Sequence, residues 1–155
     1  MPSDYNRASA ISREILARYD RYTGHLKFPG DWGERPIRGW LVSEVFHDVL
    51  GWPFGSIILG ERFDTLFVDD MINPKVYLET KIPRLFRNER NLGPIEKKAI
   101  NLAKRYPTIE QVVISDVESW FRIDLVRHLR ALADVKSGEA KWKTLVRGLR
   151  FEDYS

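Results

Sequence analysis

The chain contains no cysteine, which excludes disulfide bonds and metal sites built on thiolates. It also lacks an uninterrupted apolar run of about 18 residues, which a membrane-spanning helix needs. The first residues, MPSDYNRASAISREIL, do not show the basic-then-apolar pattern of a secretion signal. We therefore expect a globular protein without membrane association, and the missing thiols fit a cytoplasmic location.

Several catalytic signatures are absent as well. The sequence has no phosphate-binding loop of the P-loop type and no glycine-rich dinucleotide turn. Its three histidines, His25, His47 and His128, are too scattered to indicate a zinc site by their spacing. Nucleotide-binding and zinc-dependent activities of these common kinds are therefore not indicated.

The composition does support a folded domain, since 43% of the 155 residues are hydrophobic and 12% are aromatic. We expect one domain over residues 1–155. Charge is distributed unevenly: residues 1–83 carry 10 basic and 12 acidic side chains, whereas residues 84–155 carry 15 and 10. This asymmetry indicates either ordinary variation among solvated faces or an acidic half that holds cations beside a basic half that holds a polyanion.

Hydrophobic periodicity predicts an α/β protein. Helices are expected from Ser3 or Asp4 to about Tyr22, from Pro36 through the segment RPIRGWLVSEVFHDVL, over residues 88–106, and over a tail from about 126 to 150, with a loop at 25–34. Strands are expected in the runs SIILG, ERFDTLFVD, KVYLETKI, QVVIS and SWFRIDLV. This order predicts a mixed β-sheet of about five strands flanked by helices.

Four charged residues lie within otherwise apolar segments. In the run KVYLETKI, Glu79 and Lys81 share one face of the predicted strand, and Asp64 interrupts the preceding strand. Glu44 lies seven residues after Ile37, so helical spacing turns it toward the core. Each residue has a simpler interpretation: an exposed ion pair for Glu79 and Lys81, a strand edge facing water for Asp64, and a buried ion pair for Glu44.

One joint interpretation is a site for a hard cation. Mg²⁺ takes oxygen ligands, needs only one or two carboxylates and keeps several waters. Asp64 and Glu79 would supply carboxylate oxygens, and the Thr80 carbonyl would be a third ligand. Lys81 would hold a water molecule and offset negative charge on a phosphate.

The spacing of Asp64 and the triplet Glu79-Thr80-Lys81 resembles the signature of the PD-(D/E)xK nuclease superfamily. The likeness is greatest to the N-terminal nuclease domains of type I and fused type II restriction enzymes. It rests on a helix acid before VLGW, on ERFDTLFVDD and VYLETKIP, and on VVISDVESWFRIDL, and it covers a core of about residues 35–125.

The resemblance implies a restriction-endonuclease-like fold and hydrolysis of phosphodiester bonds in double-stranded DNA, dependent on Mg²⁺, with Mn²⁺ as a substitute. It assigns Asp64 and Glu79 as metal ligands, Lys81 as the catalytic lysine and Glu44 as an auxiliary acid. A methyltransferase, a helicase, a specificity subunit or a second copy of the chain are the partners it suggests. The alternative is a catalytically inactive nuclease-fold module that binds DNA or serves assembly in a defence or repair complex.

Basic residues follow this predicted site. They are either a solvated helix face or contacts to DNA phosphates, which position DNA without reading its sequence. The residues are Arg84, Arg87, Arg90, Lys97 and Lys98.

Overall fold

The structure is a computed structural model that describes residues 4–25, 33–60 and 64–155. The predicted cap Ser3, most of the predicted loop at 25–34 and residues 61–63 of the predicted second strand lie outside these ranges. No helix within them is long and apolar enough to cross a membrane.

The described chain forms one six-stranded mixed sheet flanked by four α-helices. The helices are α1 (Asp4–His25), α2 (Glu34–Trp40), α3 (Leu92–Ala103) and α4 (Glu139–Val146), and a π-helix (Leu41–Val49) continues directly from α2. The strands are β1 (Ile57–Leu59), β2 (Thr65–Val68), β3 (Pro74–Thr80), β4 (Gln111–Ser115), β5 (Ser119–Asp124) and β6 (Leu129–Asp134). The predicted α/β class is confirmed, with six strands in place of about five.

Neighbouring strands of the sheet follow the chain order from β1 to β6. All pairs are antiparallel except β3 and β4, which run parallel because α3 carries the chain back across the sheet between them. This one parallel pair makes the sheet mixed, as predicted. It also places β3 in the interior of the sheet, between β2 and β4.

The predicted helical tail over residues 126–150 is wrong in its first half. Residues Leu129–Asp134 form β6, which pairs antiparallel with β5, and only Glu139–Val146 is helical. The inward residues of β6 are Ala131 and Ala133, whereas Leu129 and Leu132 are exposed. The usual strand signal of large apolar residues facing inward is therefore reversed in this segment.

The two faces of the sheet carry different helices. Val76 and Leu78 of β3 face a core built with α1, α2, the π-helix and α4. Tyr77, between them, faces a second core closed by α3. This alternation follows from the period of two along a strand, and residues 76–80 of β3 are all buried between the two cores.

Candidate metal centre at the end of strand β3

Asp64 lies immediately before β2 and faces the end of β3. The register that pairs Thr65 with Leu78 extends to place Asp64 opposite Glu79. Its Oδ2 accepts a hydrogen bond from the Thr80 backbone N–H at 2.9 Å. Its Oδ1 accepts from the hydroxyls of Thr65 at 3.0 Å and Thr80 at 3.3 Å. The carboxylate is thus held at the junction of the two strands.

Glu79 and Tyr77 share the same face of β3, two residues apart. The Tyr77 hydroxyl donates to Glu79 Oε2 at 2.5 Å and accepts from the Asp64 backbone N–H at 3.5 Å. Glu79 is 8% exposed and Tyr77 is fully buried. The tyrosine hydroxyl therefore lies between the acidic side chain of β3 and the backbone of Asp64.

Lys81 follows β3 and places its amine against Glu79. The Lys81 Nζ lies 3.2 Å from Glu79 Oε1 and 3.8 Å from Glu34 Oε1, at the first residue of α2. The lysine side chain is 19% exposed, so water screens this contact only in part. The structure thus brings together Asp64, Glu79 and Lys81, as the sequence predicted, and adds Glu34.

The sequence prediction missed Glu34 and Tyr77 as parts of the site. Glu34 lies in the segment DWGERP, where no periodicity shows which way a side chain points. Tyr77 belongs to the alternating face that also carries Glu79, and that alternation was the available signal.

Burial and charge perturb two groups of this site. Burial raises the pKa of the Asp64 carboxyl, hydrogen bonds from Thr80 and Thr65 oppose this, and the charge of Glu79 adds to the rise. Burial also raises the pKa of the Tyr77 hydroxyl, and its hydrogen bond to Glu79 raises it further. A half-buried carboxylate beside a second carboxylate is an environment that a cation would relieve.

Glu44 does not join these residues, contrary to the sequence prediction. Its carboxylate accepts a hydrogen bond from Arg18 of α1, which also binds Glu14 and Asp48, and the Glu44 side chain is 41% exposed. The prediction used the spacing of an α-helix, but residues 41–49 form a π-helix with wider turns. Residue 44 is therefore rotated off the buried stripe.

The predicted DNA-contacting residues are all at the surface, and two of them are paired. Glu118 lies 3.9 Å from Arg84 and 3.0 Å from Arg87, which partly neutralises both cations. Arg90 lies in a short 3₁₀ turn ahead of α3, and Lys97 and Lys98 are exposed on α3.

The donor set fits a magnesium ion only in its minimal form. Within the described ranges, no group of three or more acidic, histidine or cysteine side chains is arranged to hold a metal ion, and the predicted auxiliary acid, Glu44, lies with Arg18 instead. The carboxylates of Asp64 and Glu79 remain, and Thr80 follows Glu79 in the sequence. Mg²⁺ needs no more than two carboxylate ligands.

Comparisons with known proteins return nothing similar. No model of a protein family matches the chain. No curated protein and no solved structure matches it. The geometry at the end of β3 and the motif resemblance are therefore the features of this chain that bear on its function.

Proposed function

We propose that this chain has a restriction-endonuclease-like fold and is a Mg²⁺-dependent endonuclease that hydrolyses phosphodiester bonds of DNA in the cytoplasm. One observation carries the proposal. The Lys81 amine lies 3.2 Å from Glu79, and Asp64 is hydrogen-bonded to the intervening residue, Thr80. Two acids and one amine thus meet where the start of β2 lies beside the C-terminal end of β3.

In this proposal Asp64 and Glu79 would hold the metal ion, with the Thr80 carbonyl as a third oxygen. When bound, such an ion polarises a phosphoryl oxygen and lowers the pKa of a coordinated water. Lys81 would hold the attacking water and stabilise the negative charge that develops on the phosphate. The water oxygen forms the new bond to phosphorus, and the 3′ oxygen of the departing strand leaves and takes up a proton.

Plasmid nicking tests this proposal. Supercoiled plasmid is incubated with the protein in Mg²⁺, in Mn²⁺ and in EDTA, and conversion to the open circle is measured. We expect metal-dependent nicking that Asp64→Asn, Glu79→Gln and Lys81→Met each reduce by at least about a hundredfold.

The matched controls use Lys75 and Glu110, an ion pair at 3.4 Å at the other end of β3. Lys75→Met and Glu110→Gln remove the same kinds of charge away from the site, so they should nick at the parental rate. Thermal unfolding of every variant checks that the fold is intact. Parental nicking by all three site variants would contradict the proposal.

A second candidate is a module that binds DNA, or assembles with a methyltransferase, helicase or specificity subunit, without cutting. It is favoured by the saturation of the site: both oxygens of Asp64 accept hydrogen bonds, and both oxygens of Glu79 contact Tyr77 or Lys81. A metal ion would have to replace some of these contacts. DNA binding without nicking in either metal would support this candidate.

A further inference from the structure

A groove opens between α2 and β1, next to the candidate metal centre. It encloses about 430 Å³ and is lined by Arg35, Arg38 and Gly39 of α2 and by Phe54 and Leu59 around β1. No heavy atom lies within 4 Å of the position that a Cβ on Gly39 would occupy, so space is open above this part of α2. The groove can therefore admit a ligand.

Two cations line one wall of the groove. Arg35 is exposed and Arg38 is half-buried, and in the part of the chain that the structure describes neither lies within ion-pair distance of a carboxylate. The groove also lies close to the two-carboxylate site, because Leu59 in its lining pairs with Thr65, whose hydroxyl donates to Asp64.

The opposite wall exposes apolar side chains. Phe54 is 62% exposed and Leu59 is 58% exposed, which are high values for large hydrophobic residues. The ring of Phe54 stacks on the His47 imidazole, with centroids 3.6 Å apart, so its orientation is held. A held, exposed aromatic ring opposite arginines is the arrangement on which proteins stack an unpaired base beside its phosphates.

The basic residues predicted from the sequence are a weaker candidate for this role. Arg84 and Arg87 share Glu118 as their partner, which reduces the charge they present to a polyanion. Lys97 and Lys98 belong to α3, which packs on the sheet face opposite to that of α2.

We propose that the groove between α2 and β1 binds a single DNA strand, with phosphates on Arg35 and Arg38 and one base stacked on Phe54. This inference names the path of the substrate and rests on the proposed function for its link to cleavage. Binding itself does not require that the protein cuts DNA. The geometry favours an unpaired stretch, because a base inside a duplex cannot present its face to Phe54.

Fluorescence anisotropy in EDTA tests binding apart from cleavage. The probes are a labelled oligothymidine of about 12 nucleotides and a duplex of equal length, each titrated at several salt concentrations. We expect the single strand to bind more tightly. Arg35→Gln/Arg38→Gln should weaken this binding by at least about tenfold and make the negative slope of log K against log salt shallower by about 1.4.

Two further variants test the shape of the groove. Phe54→Ala should weaken single-strand binding by about tenfold with an unchanged salt slope, because stacking releases no counterions. Gly39→Leu should weaken binding without any change of charge, since its side chain would enter the open space above α2. Leucine favours the helix more than glycine does, so α2 should keep its fold.

The control is Lys136→Gln/Lys141→Gln, which removes two exposed positive charges on and after the turn that follows β6. It should bind like the parent. The inference is overturned if the parent does not bind the single strand or binds the duplex more tightly, or if the control or Arg84→Gln/Arg87→Gln loses as much affinity as the groove double variant. Loss confined to the groove variants, with no nicking by the parent, would support the groove and refute the nuclease proposal.

Discussion

Replacing Asp64 by asparagine separates the cost of its charge from its role in metal binding. In the structure, Oδ2 accepts from the Thr80 N–H, whereas Oδ1 faces the hydroxyls of Thr65 and Thr80. An asparagine can keep its oxygen toward the N–H and turn its amide toward the hydroxyls, which then accept. The substitution therefore removes one negative charge and keeps the Thr80 N–H bonded, while the hydroxyls of Thr65 and Thr80 lose Oδ1 as their acceptor.

Without metal, this variant should be more stable than the parent at neutral pH. Burial raises the pKa of folded Asp64 above its ordinary value of 3.8, so the folded parent holds the proton more tightly than the unfolded chain. The free energy of unfolding of the parent therefore falls as the pH rises from 3.8 through the folded pKa. The variant lacks this fall, and each pKa unit of the rise corresponds to about 1.4 kcal/mol.

With metal, the order should reverse. At a Mg²⁺ concentration of 100 times its dissociation constant, the parent gains about 2.7 kcal/mol of unfolding free energy. The variant should gain almost none, because one of its two carboxylates is missing. We expect the difference between the two proteins to change sign between EDTA and saturating Mg²⁺.

Urea unfolding between pH 3.5 and 8, in EDTA and in Mg²⁺, measures both effects. Lys75→Met serves as the control, since it alters charge on the same strand away from Asp64. A variant that is less stable than the parent in EDTA at pH 7 would refute the destabilising effect assigned to the buried Asp64 charge. Equal gains from Mg²⁺ in both proteins would refute the metal assignment.

Three further substitutions test other contacts. Glu44→Gln should leave nicking unchanged. It should lower the free energy of unfolding in urea by less than about 1 kcal/mol, because the ion pair of Glu44 with Arg18 is half-exposed. A loss of nicking would show that Glu44 acts in the site after all. Tyr77→Phe removes the hydroxyl that donates to Glu79, and should lower the free energy of unfolding in urea by about 1 kcal/mol. Calorimetry should show tighter Mg²⁺ binding, because Glu79 Oε2 loses a competing donor. Weaker Mg²⁺ binding would mean that the hydroxyl positions the acid. Arg122→Met removes the buried guanidinium that donates to two carbonyls of α4, and should lower the free energy of unfolding in urea by about 3 kcal/mol. A loss below about 1 kcal/mol would contradict a stabilising role for these hydrogen bonds.

Much of the fold was predictable because its signals are local. Alternating apolar residues over 76–80 and the buried run QVVIS predict strands that the structure contains. The helical stripe that includes Ala99 and Ala103 likewise predicts α3. Strand β6 escaped detection because its buried residues, Ala131 and Ala133, are smaller than its exposed leucines. Hydrophobic periodicity is informative only where the larger apolar side chain faces inward.

The positions of Asp64, Glu79 and Lys81 in the candidate site were predictable, because they depend only on two neighbouring strands. Glu79 and Lys81 are two positions apart on one strand, and a hairpin register brings Asp64 opposite Glu79. A period of two and a pairing rule suffice for that inference. No comparable rule places Glu34 beside Lys81, because that contact joins the start of α2 to the end of β3 across the packing of a helix on the sheet.

The amino-acid pattern alone was sufficient to place two acids and a lysine where two adjacent strands meet, because strand geometry repeats within a few residues. The packing of helices on the sheet decided the rest: Glu44 lies with Arg18, Glu34 approaches Lys81, and a groove opens beside α2. These outcomes depend on the directions of side chains on the π-helix and on which distant surfaces pack against each other. A short window of sequence determines neither, since both result from contacts between residues far apart in the chain.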